Sequence, residues 1–246
     1  HWPKHQQYHK DQKERAQKIR EGAILECDRS TAETVARRAE ETGGEYDKRI
    51  AAAAALQAEG DHNAAAKAWR KIIKQSPDVP AAYRNLGIVL DRAGRFVEAA
   101  QMFLKAMELY PDRSEDWAAS AACAYDLLRH PDCHDVSKPE WWNDEGLKAL
   151  SARVVAVSAD GHMQCAMRAR VLCGDTLGKP TWNAGPRTAT EIKEAATWYR
   201  RAAMLALIPV DKLLYEGAAS QCDEVADPLL AEEEAEAAKA RAAAKI

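Results

Sequence analysis

Four pairs of residues in this chain stand 34 positions apart: Gly60 with Gly94, Ala65 with Ala99, Trp69 with Phe103, and Pro77 with Pro111. Each pair keeps its chemistry, so the stretch is a repeated unit that folds by stacking copies of one supersecondary element. In the second copy, 80–113, apolar and small residues fall at Tyr83, Leu86, Gly87 and Leu90, then at Ala99, Phe103, Ala106 and Leu109. Intervals of three and four place each set on one face of an α-helix. Gly94 suits the left-handed residue that ends the first helix, and Pro111 cannot continue the second. The pattern predicts a helical hairpin in which Gly87 and Ala99 permit close approach and Phe103 fills the space between hairpins.

The first copy, 46–79, keeps the register, with Ala52 and Ala53 at the Leu-Gly place and Arg49 at the aromatic's place. A 34-residue period carrying Leu-Gly, Ala, aromatic and Pro in this order resembles the tetratricopeptide repeat family, most closely over 80–113. Trp117 lies 34 residues beyond Tyr83, and "SEDWAASAACAYDLL" reads as the first helix of a third hairpin. "RHPDCHDVSKPEWWN" then interrupts it before a second helix at 144–157, since Pro and Asp/Asn/Ser clusters mark loops. A fourth hairpin is expected from a helix at 162–173, a loop rich in Gly and Pro at 174–187, and a helix carrying Ala195, Tyr199, Ala202 and Leu205. Thr188 or Thr190 offers its N-cap, followed by Glu191 and Glu194.

Ahead of the array, 10–26 reads as a helix, and "STAETVARRAEETGG" reads as a capped helix ended by Gly43 and Gly44. Behind it, 210–225 would cover the open end of the last hairpin, and "AEEEAEAAKARAAAKI" would be a helix or a disordered tail. The expected fold is all-α: a helical-hairpin solenoid of about four hairpins, two with loop insertions. Its parts would be an N-terminal helical extension (1–45), the array (46–209), and a capping helix with an Ala/Glu-rich tail (210–246).

The resemblance implies first helices lining a concave surface, and a non-enzymatic adaptor holding an extended or helical segment of another protein. On that reading Arg84, Asn85, Ile88, Asp91 and Arg92 face the groove in the second copy. Glu115, Ala119, Ala122 and Asp126 share that surface in the third. Some family members grip the acidic tails of heat-shock chaperones with Lys, Asn and Arg. Here Ile50 and Ala54 hold the first clamp pair, Asn85 matches the middle place, and Glu115 and Ala119 hold the last. A groove without those cations, and presenting Glu115, repels a carboxylate.

Composition agrees with helix and supplies no electrostatic address. Of 246 residues 47% are hydrophobic and 30% charged with only two Phe, a mix that favours helix over sheet. The formal charge of -3 gives no chain-wide basic field for nucleic acid, although "KHQQYHKDQKERAQKIR" is locally basic; Asp11 and Glu14 interrupt it, and a solvated helix is the favoured reading. No apolar run approaches the roughly 20 residues of a membrane helix. Six scattered cysteines without a CxxC pair point to a reducing intracellular setting, cytoplasm or organelle. The missing initial Met suggests a processed or trimmed N-terminus.

"HPDCH" (His130, Cys133, His134), "HMQC" (His162, Cys165) and Cys173 hold zinc-type ligands in no recognised spacing, so loop and core roles are preferred. A Cys133–His134 nucleophile pair is disfavoured because adjacent side chains seldom face each other. No catalytic residue, metal or cofactor is assigned. Trp141 and Trp142 need either an internal pocket or a partner's surface, with packing over the array the first expectation and partner anchorage the second, and Trp182 poses the same choice. The runner-up function is a structural subunit embedded in a large, possibly organellar, multiprotein assembly.

Overall fold

The computed structural model describes residues 29–174 and 182–243. The helix expected at 10–26, the basic arm, Cys27 and the middle of the second interruption lie outside the described residues. Every regular element among the described residues is helical. Residues 29–42 form α1; α2 (Glu45–Ala58), α3 (His62–Gln75), α4 (Pro80–Arg92) and α5 (Phe96–Leu109) follow. Then come α6 (Glu115–Leu128), a 3-10 turn (Pro131–Cys133), α7 (Asp144–Val157), α8 (His162–Leu172), α9 (Ala189–Leu205) and α10 (Pro209–Ala243). The chain divides into two compact units, one holding α1–α5 with 130–134, the other α6–α9 with α10 from Asp211 onward.

The first unit contains the two regular hairpins. Gly60 and Gly94 sit at φ 80° and 71°, left-handed values that cost an L side chain energy, so each ends its helix and turns the chain into the next. Ala65 and Ala99 are completely buried, and Trp69 and Phe103 nearly so. Phe103 does more inside its own hairpin than expected: a Cβ added to Gly87 would stand 2.9 Å from its ring. The glycine makes room for the aromatic, which is how α4 and α5 come together. The corner after α3 is tied twice, by the Tyr83 hydroxyl donating to the Pro77 carbonyl at 3.0 Å and by Arg49 donating to Gln75. Arg49 thus does at the aromatic's place what Tyr83 does in the next copy. On the second helices, Arg70 of α3 bonds Glu98 of α5 at 2.9 Å.

The second unit carries the two interrupted hairpins, α6/α7 and α8/α9. Ser114 caps α6 by accepting the Trp117 N–H, and Asn143 caps α7 by accepting the Gly146 N–H. Thr188 caps α9 in a full capping box with Glu191. Of the two threonines offered by the sequence, Thr188 takes the role and Thr190 lies within the helix. The core joins α8, α9 and α10 through Cys165, Ala195, Tyr199, Ala202, Tyr215 and Cys222.

One expectation needs correction, and one open alternative is decided. Residue 29 is already helical, so Ser30 and Thr31 lie inside α1 rather than capping it, and the Thr34 hydroxyl bonds the Ser30 carbonyl within the helix. The C-terminal region is one continuous helix, α10, which among the two readings of the tail, helix or disordered, is the first. Its inward face, Tyr215, Ala219, Cys222 and Ala226, closes the α8/α9 hairpin, while salt bridges from Lys193 and Arg200 to Asp223 hold α10 to α9. Beyond Ala226 the helix continues in Ala- and Glu-rich sequence of strong helix propensity, and none of residues 227–235 is buried.

Candidate functional site

In the first unit, the α4 residues expected to meet a partner lie off the packed face. Ala82, Leu86, Gly87, Val89 and Leu90 are buried, whereas Arg84, Asn85, Ile88 and Arg92 are half-buried and Asp91 is exposed. One helix thus separates a packing stripe from a mixed-charge stripe carrying one aliphatic side chain.

The third copy differs. Glu115 is exposed, Ala119 and Asp126 are half-buried, but Ala122 is only 1% exposed and leaves the set of groove residues. Its methyl is too short to reach past the helices packed around α6, which runs beside both α7 and α8. Asp126 is engaged by two cations: Arg170 of α8 donates to it at 2.7 Å and Arg129 stands 3.6 Å away. Mostly buried Arg170 keeps its charge because this carboxylate raises its pKa against the opposing effect of burial.

The two interruptions of the second unit meet in an aromatic corner. Trp142 packs on the fully buried ring of Tyr125 with centroids 5.7 Å apart, Trp182 meets the same ring edge-on at 6.1 Å, and Trp142 and Trp182 lie 6.4 Å apart. Trp141 stands 5.8 Å from Trp142. Such tilted and edge-on pairs suit the quadrupoles of the rings. Lys138 covers Trp142 at 5.4 Å, Arg129 covers Tyr125 at 5.6 Å, and Lys138 also bonds the Leu128 carbonyl at 2.9 Å. Internal packing, the first of the two expectations, therefore describes Trp142 and Trp182.

Asp144, at the N-terminus of α7, clasps the corner. It accepts from both terminal nitrogens of Arg187, at 2.9 Å for one of them, and from the Trp182 indole N–H at 3.3 Å. The Arg187 side chain is 2% exposed and also donates to the Val171 carbonyl at 3.0 Å. This guanidinium holds the Asp144 carboxyl at about 2, below the ordinary carboxylate range. Gly146 lets the Trp141 backbone lie against α7, since a Cβ there would be 2.5 Å from the Trp141 carbonyl oxygen. Sequence reasoning missed Tyr125, Asp144, Arg187 and Gly146. Only Tyr125 carried a signal: it stands 34 residues after Asp91, an aromatic ring in the place of a carboxylate.

The remaining chemistry candidates separate. Cys133 is buried while neighbouring His134 is exposed. Among the described residues no group of three or more His, Cys, Asp or Glu is placed to hold a metal ion. No helix among them is long and apolar enough to cross a membrane.

Residues 50–114 match the tetratricopeptide repeat family model. Residues 50–114 carry tetratricopeptide repeats. The comparison with curated proteins gave no match. Among solved structures, Pseudomonas aeruginosa PilF is 15% identical and superposes with a TM-score of 0.52 over 88% of this chain and 89% of that one, a likeness of fold. YrrB, a tetratricopeptide repeat protein with an unusual peptide-binding site, is 14% identical over 82% of this chain and 99% of its own, with a TM-score of 0.45. MamA is 13% identical over 70% and 94%, with a TM-score of 0.42. The matched region coincides with the two regular hairpins; the tetratricopeptide register then reaches Trp117 before the interruptions begin.

Proposed function

We propose that this chain is a non-enzymatic adaptor that holds an extended or helical segment of another protein on the first helices of its repeats. The observation that carries the reading is the division of α4, with a buried stripe against α5 and Arg84, Asn85, Ile88, Asp91 and Arg92 on the rest of its surface. Repeat proteins use such a face for partners because each unit supplies a few side chains to one long surface. Glu115, Ala119 and Asp126 on α6 are the corresponding candidates of the second unit, and Trp141 is the half-buried indole of its aromatic corner. A chaperone's acidic tail fits poorly, since Ile50, Ala54, Glu115 and Ala119 occupy the clamp positions. Co-purification from native cells with mass spectrometry tests the reading. Reversing Arg84 and Arg92 to Glu should remove the main partner while helicity stays unchanged; undiminished recovery would overturn the groove assignment.

A second reading, a subunit embedded in a large assembly, is favoured by one feature. Met204, Leu207, Leu213 and Leu214, around the elbow from α9 to α10, are between 61% and 79% exposed, more apolar surface than a free-standing cap needs. An adaptor expressed alone should be monodisperse, whereas an embedded subunit should aggregate until its neighbours are supplied.

A further inference from the structure

The positions 34 residues after Arg84, Ile88 and Asp91 are Ala118, Ala122 and Tyr125, and all three are at most 1% exposed. On α4 these places are half-buried or exposed; on α6 they are covered. Packing along α8 accounts for part of this cover. Over Tyr125 the cover comes from the chain's own interruptions, through Trp142 at 5.7 Å and Trp182 at 6.1 Å.

The two tryptophans are held differently. Trp182 is nearly buried, its indole N–H is bonded to Asp144, and the Arg187–Asp144 pair locks the segment beside it. Trp142 is half-buried and belongs to a stretch without regular structure, secured by a short turn from Trp142 N–H to the Pro139 carbonyl and by the Lys138 bond to Leu128. One ring is a wall of the corner and the other fills it.

We propose that the face of α6 at Tyr125 is a binding surface for an aromatic side chain, filled in cis by Trp142. The chemistry is written in the occupant. The filling segment supplies the Trp142 ring, which meets Tyr125 at 5.7 Å, and the Arg129 guanidinium covers the Tyr125 ring. A tethered occupant competes at a high effective concentration, so a partner segment of the same type binds only by displacing it, and the interruption sets a threshold for engagement. This inference rests on the adaptor reading and adds both the class of ligand and its built-in competitor.

The test uses a fluorescein-labelled peptide of residues 136–145, Val-Ser-Lys-Pro-Glu-Trp-Trp-Asn-Asp-Glu, added to the full chain and followed by anisotropy up to millimolar protein. Trp142→Ser vacates the site and should bind the peptide saturably, at least tenfold more tightly than the wild type, and adding Tyr125→Ala should remove that binding. Gly146→Ala keeps every ring but drives the Trp141 backbone away, so it should gain peptide binding as well, with a red shift of tryptophan emission. Equal binding by wild type and variants, or no binding by variants whose circular dichroism is unchanged, overturns the proposal. The Arg84 and Arg92 reversals report on α4 independently, so failure of the peptide experiment leaves the adaptor reading to its own test.

Discussion

At the scale of single residues, two close approaches decide the local architecture, and both depend on a missing Cβ. Gly87 admits the Phe103 ring and Gly146 admits the Trp141 backbone. One single-residue electrostatic effect bears directly on acid stability: the Asp144 carboxyl is held at about 2 by Arg187 and by the Trp182 indole. A depressed folded-state pKa stabilises the fold above the ordinary Asp value, and that contribution is lost as the pH falls through the folded-state value. The Asp144 contribution should therefore be complete above about pH 4 and fade between about pH 4 and pH 2. The shift corresponds to about 2 kcal/mol. Asp144→Asn should lower the unfolding free energy measured in urea at pH 7 by up to that amount and flatten the loss of stability below pH 4. An unchanged acid limb in the variant would show that the clasp adds nothing.

Among the elements, α9 shows how a helix is placed by its ends as well as its face. Thr188 and Glu191 satisfy backbone donors of the first turn, while Ala195, Tyr199 and Ala202 bury the stripe. Thr188→Ala should cost about 1 kcal/mol and speed amide exchange in the first turn of α9, with the centre of the helix unaffected. Uniform acceleration along the helix would mean that the cap holds the whole element. Helix α10 presents the opposite case. Its first half is fixed by tertiary packing of Tyr215, Ala219 and Cys222, whereas the helix passes Pro228 and runs on through Ala- and Glu-rich sequence of strong intrinsic propensity.

For the whole molecule, the two units differ in how they are finished. The first repeats one 34-residue solution twice, with buried Ala65 and Ala99 at matching places. The second departs from the repeat with interruptions and is closed by α10, as the last element of a stacked array must be covered. A chain ending after Ile208 would uncover Tyr199 and the alanine face of α9. Such a truncation should lower the thermal midpoint and bind a hydrophobic dye strongly. Retention of the full-length melting profile would show that α10 is not a cap.

The sequence by itself determined the helices, their pairing and most of their ends, because hydrophobic spacing, Gly at a left-handed turn and Pro after a helix act within a few residues. The match of Trp69 to Phe103 across 34 positions even indicated which side chains enter the core. The candidate face of α4 was legible for the same reason, since it is what remains after the packing stripe is removed. Tertiary structure alone decided the aromatic corner. Asp144 meets Arg187 across 43 residues, and Tyr125 meets Trp182 across an intervening helical pair. Neither partner carries a local pattern that names the other, because contacts between loops depend on how whole hairpins stack and not on the period of any helix. Burial of Ala122 was hidden for the same reason: an alanine's exposure is set by what lies over it.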